Sequence, residues 1–157
     1  MSIVVDVNAI VPVFNENDLS HKDFAPVREW IIKGRGRLVF GGTKYKAELK
    51  KTIRYARLIR RLKDAGKACE VHQDMVDERE REIVTETVGT DCDDQHLIAI
   101  LSVSGCLLFC SQDRRADKFI TDRRWYSKGR RRPRIYRSIK NRNLLSQRFL
   151  VKLQHLV

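Results

Sequence analysis

The chain has 157 residues, 42% of them hydrophobic, which suits one domain with a packed core. This excludes a disulfide-dependent miniprotein and a wholly disordered chain. It carries 32 Lys and Arg against 20 Asp and Glu, a net charge of +12. No apolar run approaches the roughly 18 residues of a membrane span, and the first residues lack the pattern of a signal peptide. We therefore expect a cytoplasmic protein without a membrane partner.

The positive charge is concentrated towards the C-terminus. Residues 114–157 hold 15 Lys and Arg but only 2 Asp, whereas residues 1–113 hold 17 basic and 18 acidic side chains. This asymmetry favours nucleic acid as a partner over the alternative of a solvated surface that only aids solubility. The four cysteines show no zinc-ligand spacing with the histidines, so we expect no structural zinc.

Predicted strands and helices alternate along the chain, which favours an α/β fold. The first predicted strand is almost entirely β-branched, as in strands that are buried on both faces of a parallel sheet. Thr43 is the expected N-cap of the longest helix and Gly66 its expected stop. The predicted strands cover residues 3–7, 38–40, 68–71, 106–110 and 134–139, and the predicted helices cover residues 24–33, 44–65, 74–85, 94–104, 115–121 and 143–154.

Four acidic side chains interrupt or end these apolar elements. Asp6 and Asp113 end predicted strands, Asp94 begins the helix before the second of these strands, and Glu48 lies near the start of the longest helix. Carboxylates that converge at one sheet edge repel each other unless a cation lies between them, and oxygen ligands suit Mg²⁺ or Mn²⁺. An acidic pocket beside a basic surface indicates metal-assisted phosphodiester hydrolysis. Taken singly, each acid is also explained by helix capping.

Four segments together resemble the successive acidic motifs of the PIN-domain ribonuclease family, in the family's order. They are Val5-Asp6-Val7-Asn8, Lys46-Ala47-Glu48-Leu49, Asp91-Cys92-Asp93-Asp94-Gln95-His96-Leu97-Ile98-Ala99-Ile100 and Cys110-Ser111-Gln112-Asp113. The resemblance spans roughly residues 3–120. It implies a three-layer α/β/α fold with a mostly parallel central sheet and an endoribonuclease that requires Mg²⁺ or Mn²⁺. Many small members are toxins of toxin–antitoxin pairs, while others act in RNA processing or decay.

The resemblance also assigns roles to the acids. It implies that Asp6, Asp94 and Asp113 are catalytic residues that bind the metal, and that Glu48 is a catalytic residue that positions metal or water. Asn8 and Ser111 match supporting polar positions of the family.

The register of the third acid is ambiguous, because Asp91, Asp93 and Asp94 stand close together. We choose Asp94, since the apolar run at residues 97–101 follows it at the family's spacing, and we expect Asp93 to cap the helix or meet solvent. Asp117 is a candidate for an additional carboxylate.

The basic residues around these motifs are candidates for contacts with phosphates. Trp125 or Tyr126 is a candidate for stacking on a base. We expect residues 1–122 to form the nuclease core and residues 123–157 to form a basic extension packed on the same domain. The candidate nucleic-acid-binding residues are Lys44, Lys46, Arg123, Arg124, Arg130, Arg131, Arg132 and Arg134.

Two other functions remain open at this point. One is a nuclease acting on DNA or a structured junction, because backbone contacts do not distinguish sugars without a group that reads the 2′-hydroxyl. The other is a catalytically silent nucleic-acid-binding module. RNA is the expected partner, and the resemblance adds an antitoxin protein and a second copy of the chain as further candidates.

Overall fold

A computed structural model describes residues 1–146, which contain one central sheet of five parallel strands. The strand order is β3-β2-β1-β4-β5, so β1 lies at the centre of the sheet. This arrangement confirms the expected parallel α/β sheet. The strands are β1 (Ser2–Val5), β2 (Arg37–Gly41), β3 (Ala68–Val71), β4 (Leu108–Cys110) and β5 (Arg134–Tyr136).

Helices cover both faces of the sheet, and the fold is a three-layer α/β/α sandwich. One face carries α1 (Val7–Phe14), α2 (His21–Ile32), α3 (Thr43–Lys50) and α4 (Ile53–Asp64), and the other carries α5 (Gln73–Glu86), α6 (Gln95–Ser104) and α7 (Asp117–Ile120). The strands from β1 to β3 are added towards one side of the sheet, and those from β3 to β5 are added in the opposite direction. Because crossovers between parallel strands are right-handed, the two directions place their helices on opposite faces. Short 3-10 helices cover Arg114–Ala116, Arg123–Trp125 and Ile139–Leu145. In the described part of the chain, no helix is long and apolar enough to cross a membrane.

The core explains the apolar composition of β1. Ile3, Val4 and Val5 are fully buried between the two helical layers, and Val4 pairs with Val39 on one side and Phe109 on the other. Each buried aliphatic side chain of this size contributes about 1.5–3 kcal/mol. The chain leaving β1 is therefore held firmly at the carboxyl edge of the sheet, the edge where the parallel strands end.

The first strand ends earlier than predicted. We expected it to continue to Val7, but it stops at Val5, and Asp6 instead occupies the N-cap position of α1. The Asp6 side chain accepts a hydrogen bond from the backbone N–H of Asn8, as N-cap carboxylates do. The sequence analysis missed α1, because its apolar residues resemble a continuation of the strand.

The single long helix predicted over residues 44–65 is wrong, since it is divided into α3 and α4. Thr52 between them is extended, with φ −126° and ψ 93°. Thr43 is inside the first turn of α3 rather than its cap. The N-cap is Gly42, whose φ of +81° and closeness to Val76, 2.6 Å from the position of a Cβ, leave no room for a side chain.

The remaining boundaries shift by a few residues. The β3 prediction agrees with the structure, whereas β4 and β5 are shorter than the strands predicted over 106–110 and 134–139. β5 pairs with β4 along its whole length, so the basic C-terminal region contributes an edge strand to the sheet. Residues 139–145 form a 3-10 helix, and the part of the predicted helix 143–154 beyond residue 146 lies outside the described residues.

Candidate functional site

Asp6 lies at the centre of the carboxyl edge of the sheet, and its side chain is almost fully buried. Its backbone N–H donates to the Cys110 carbonyl at 2.9 Å, which joins it to the end of β4. The hydroxyl of Ser111 donates to Asp6 Oδ2 at 3.0 Å, and the N–H of Asn8 donates to Oδ1 at 3.4 Å. Burial raises the pKa of Asp6, the hydrogen bonds from Ser111 and Asn8 oppose that rise, and the charges of Glu48 and Asp113 add to it.

Ser111 connects Asp6 to Asp113. It is fully buried, and while its hydroxyl donates to Asp6 its oxygen accepts the backbone N–H of Asp113 at 3.1 Å. Neighbouring parallel strands thus bring two acidic residues to one edge, with the Ser111 hydroxyl between the Asp6 carboxylate and the Asp113 backbone. Asn8 contributes its backbone N–H, and the residue is exposed.

Asp94 stands at the N-cap of α6, but its side chain makes no capping hydrogen bond. Burial, followed by the charges of Asp6, Asp93 and Asp113, raises the pKa of Asp94 to about 7. Asp93 was expected to cap the helix or meet solvent; it is exposed, and Asp94 occupies the N-cap position. Its carbonyl accepts a hydrogen bond from Lys44 Nζ at 3.2 Å.

Glu48 on α3 faces His96, which lies in the first turn of α6. His96 Nε2 is 3.4 Å from Glu48 Oε2, and the histidine side chain is only 4% exposed. Burial and the nearby charge of Lys44 lower the pKa of His96 to about 4, so the ring is neutral near pH 7. Neither ring nitrogen has a hydrogen-bond partner among the described residues. His96 was not among the predicted site residues. Its position, two residues after Asp94 and directly before an apolar run, could have indicated that it lies near the acids.

Asp113 is paired with Arg115 in the structure. The guanidinium donates to both carboxylate oxygens, with Nε 3.1 Å from Oδ1 and a terminal nitrogen 2.9 Å from Oδ2. These hydrogen bonds lower the pKa of Asp113. The Arg115 side chain is 83% exposed, so this pairing is open to exchange with solvent or a ligand. Arg115 was not among the predicted site residues.

The other acids near the motifs are engaged elsewhere. Asp117 accepts a hydrogen bond from Arg137, and Asp91 forms a salt bridge with Lys118 at 3.2 Å. The structure therefore does not bring Asp117 into the group formed by the four predicted acids, which we call the acidic site: Asp6, Glu48, Asp94 and Asp113.

The acidic site offers only oxygen ligands, as a hard divalent cation requires. Its carboxylates are close enough to raise the pKa values of Asp6 and Asp94 through their mutual repulsion. A bound cation would offset that repulsion. However, across residues 1–146 no three His, Cys, Asp or Glu side chains are gathered tightly enough to form a preformed metal site. The donor types fit Mg²⁺ or Mn²⁺, and binding would require the carboxylates to draw together and Asp113 to leave Arg115.

The predicted nucleic-acid-binding residues lie in two places. Lys44 and Lys46 are on α3 near the acidic site. Lys46 forms a salt bridge with Glu70, with Nζ 2.8 Å from Oε1. Residues 123–134, which we call the C-terminal basic segment, lead into the start of β5. Because Arg134 pairs with Leu108 at the beginning of β4, the end of this segment lies at the amino edge of the sheet, opposite the acids.

Within the C-terminal basic segment, the aromatic residues are not free to stack on a base. Trp125 is 1% exposed, so its candidacy was wrong: it belongs to the core. Tyr126 is half-buried and its hydroxyl donates a hydrogen bond to the Ile120 carbonyl at 2.6 Å.

A search against models of protein families and against curated proteins finds no match to this sequence.

Proposed function

We propose that the protein is an endoribonuclease that requires Mg²⁺ or Mn²⁺. The single observation that carries this proposal is that Ser111 links the Asp6 carboxylate to the backbone N–H of Asp113, so that the two acids lie at one sheet edge, near enough for the charge of Asp113 to raise the pKa of Asp6. Asp94 and Glu48 add two more carboxylates to the same site. The choice of RNA over DNA rests on the resemblance to the PIN-domain family, and the net charge of +12 supports a polyanionic substrate.

The residues of the acidic site have distinct roles in this proposal. Asp6, Asp94 and Asp113 would hold the metal, which when bound polarises the scissile phosphate and lowers the pKa of a bound water. Ser111 fixes the orientation of the Asp6 carboxylate through its 3.0 Å hydrogen bond. Glu48, a third of whose side chain is exposed, orients the attacking water from α3.

Arg115 has a second role in the proposal. Its guanidinium neutralises Asp113 in the metal-free protein. If Asp113 held a metal, Arg115 would be free at the edge of the site to contact a phosphate of the substrate. Neutral, buried His96 contacts Glu48 at 3.4 Å.

A cleavage assay tests the proposal. Labelled single-stranded RNA, duplex RNA and single-stranded DNA are incubated with Mg²⁺, with Mn²⁺ and with EDTA, using the wild type and Asp6→Asn. Asp122→Asn is the matched control, because Asp122 pairs with Arg124 outside the acidic site. We expect metal-dependent cleavage of single-stranded RNA that Asp6→Asn abolishes and Asp122→Asn retains.

Other outcomes contradict the proposal in separate ways. Cleavage in EDTA, or full activity of Asp6→Asn, would exclude the acidic site. Cleavage restricted to DNA would make the protein a deoxyribonuclease. Binding without cleavage of any substrate would make it a nucleic-acid-binding module.

A further inference from the structure

The outer surface of α4 carries an unusual density of positive charge. Together with the two lysines that precede it, the helix exposes seven basic side chains and no acidic one before Asp64; one of them, Lys63, pairs with Glu70. We call the surface formed by the other six the α4 basic face; its members are Lys50, Lys51, Arg54, Arg57, Arg60 and Arg61. We propose that the α4 basic face binds the sugar-phosphate backbone of single-stranded RNA on one side of the cleavage point. This inference rests on the proposed function and adds a substrate-binding surface to it.

The charges of the α4 basic face are not neutralised within the protein. None of its six side chains forms a salt bridge with any residue from 1 to 146. The neighbouring Lys46 and Lys63, by contrast, share Glu70 at 2.8 and 2.7 Å. Like charges three or four residues apart on a helix destabilise it, and Arg54, Arg57 and Arg61 stand at this spacing. A polyanion that lies along the helix would remove this repulsion.

The same surface borders a groove with an apolar floor. The groove lies between the end of α1 and α4, and has a volume of about 450 Å³. Phe14, Tyr55 and Leu58 form its apolar part, while Arg54, Arg57 and Arg61 form its rim. Apolar and aromatic surface beside cations suits a single strand, whose bases are free to pack while its phosphates contact arginine.

The α4 basic face begins beside the acidic site. α3, which carries Glu48, ends at Lys50, and α4 starts three residues later. α4 then leads back towards the start of β3 at the amino edge, and its 12 residues span about 18 Å at 1.5 Å per residue. A strand bound along α4 would therefore have one end near the helix that carries Glu48.

Salt-dependent binding tests this inference. The probe is a labelled single-stranded RNA of about 10 nucleotides, within the site sizes of single-strand-binding proteins. Binding is measured in EDTA, so that cleavage does not interfere, over a series of KCl concentrations. The test variant combines Arg54→Ala, Arg57→Ala and Arg61→Ala. The matched control combines Lys22→Ala, Arg35→Ala and Lys140→Ala, three exposed cations outside this face.

We expect the test variant to bind more weakly and to flatten the slope of log K against log [KCl] by about 2, since each lost phosphate contact contributes about 0.7. The control variant should keep the wild-type slope despite the same change in net charge. The variant Arg54→Lys, Arg57→Lys and Arg61→Lys should also keep the wild-type slope, which separates loss of charge from misfolding. Equal slopes for the test and control variants would overturn the inference.

The result is separable from the outcome for the proposed function. If the test variant loses binding while no variant cleaves RNA, the α4 basic face stands and the nuclease activity fails. If RNA is cleaved in Mg²⁺ but the test variant binds as the wild type does, the activity stands and this surface is excluded.

Discussion

The two most basic regions of the molecule differ in how much of their charge is available. On the α4 basic face, six side chains are exposed and form no salt bridge with the described residues. In the C-terminal basic segment, Arg124 pairs with Asp122 at 3.0 Å and covers the Trp125 ring at 4.3 Å, while Arg130 reaches the Ser102 carbonyl at 3.5 Å. A local excess of Lys and Arg in a sequence therefore does not show which of those side chains have partners within the fold.

Position separates the two regions as well. Both regions run towards the amino edge, but at opposite sides of the sheet: α4 leads to the outer strand β3, whereas the C-terminal basic segment leads to the outer strand β5. If the acidic site is the point of cleavage, the two regions would contact different parts of a long strand.

The largest expected effect tests whether the acidic site is the point of cleavage. Asp94→Asn should lower the cleavage rate at saturating Mg²⁺ by more than about 100-fold, because it removes a metal-binding carboxylate and misplaces the reacting groups. Asp93→Asn, one residue away and exposed, should retain most of the activity. The measurement is the single-turnover rate on the same RNA. The reverse pattern would place the third acid at residue 93 and move the cleavage point away from Asp6.

A second test compares the two basic regions directly. With a long single strand, the combined variant Arg130→Ala, Arg131→Ala and Arg132→Ala should flatten the salt slope by roughly 2. With an oligonucleotide of about 10 nucleotides it should have little effect, since a short strand that occupies the acidic site and the α4 basic face runs towards β3 and does not reach β5 at the other side of the sheet. An equal effect on both lengths would show that the two regions contact the same few nucleotides.

A third test concerns what holds α3, and the α4 basic face behind it, beside the acidic site. The buried hydroxyl of Tyr45 donates to the Val5 carbonyl at 2.7 Å and so ties α3 to the end of β1. Tyr45→Phe should lower the free energy of unfolding by about 1–2 kcal/mol, because the buried carbonyl loses its partner. In a protein of this size the melting temperature should fall by about 2–8 °C. An unchanged melting temperature would mean that this hydrogen bond does not hold the helix.

The smallest expected effect is the change in stability with pH that comes from the crowded carboxylates of the acidic site. The crowded cations of α4 serve as the comparison. The pKa of Asp94 is raised to about 7 in the folded protein, above its usual value near 3.9, so the folded state binds this proton more tightly. Protonation of Asp94 should therefore add stability to the metal-free protein as the pH falls from 8 towards 6. Below about pH 6.5 the lowered pKa of His96 acts in the opposite direction, in the wild type and in Asp94→Asn alike. Partial exposure limits the gain to about 1 kcal/mol, or about 2–4 °C in melting temperature.

Asp94→Asn should remove the contribution of Asp94, so that the variant gains less stability than the wild type between pH 8 and pH 6, and it should raise the melting temperature at pH 8, measured in EDTA. Arg57→Ala, which leaves the acidic site unchanged, should keep the pH dependence of the wild type. A gain in Asp94→Asn equal to that of the wild type would assign it to another group.

The sequence was sufficient to predict the parallel sheet and the edge at which Asp6 and Asp113 lie. Short β-branched runs predicted parallel strands, and parallel neighbours necessarily end at one edge, which brings Asp6 and Asp113 together. The break between α3 and α4 was not predictable, since the apolar spacing continues from Leu49 to Ile53. In the structure Ile53 is 64% exposed, so the pattern did not correspond to burial there.

Features that depend on long-range contacts were also beyond the sequence. His96 meets Glu48 only because α3 and α6 approach each other across the fold, and Arg115 pairs with Asp113 through a local turn that follows β4. The availability of charge on α4 likewise depends on which acids are near it in space, not in the chain.

The break between α3 and α4 has a consequence for how the protein tolerates insertions. Within a continuous helix each added residue turns everything that follows by about 100°, so direction is tied to residue count. Thr52 is extended and interrupts that relation. A residue inserted beside Thr52 can be absorbed in the connection while Arg57 keeps its direction, whereas the same insertion inside α4 would rotate the arginines that follow it. The distance between the acidic site and its neighbouring cations can therefore change without changing where those cations point.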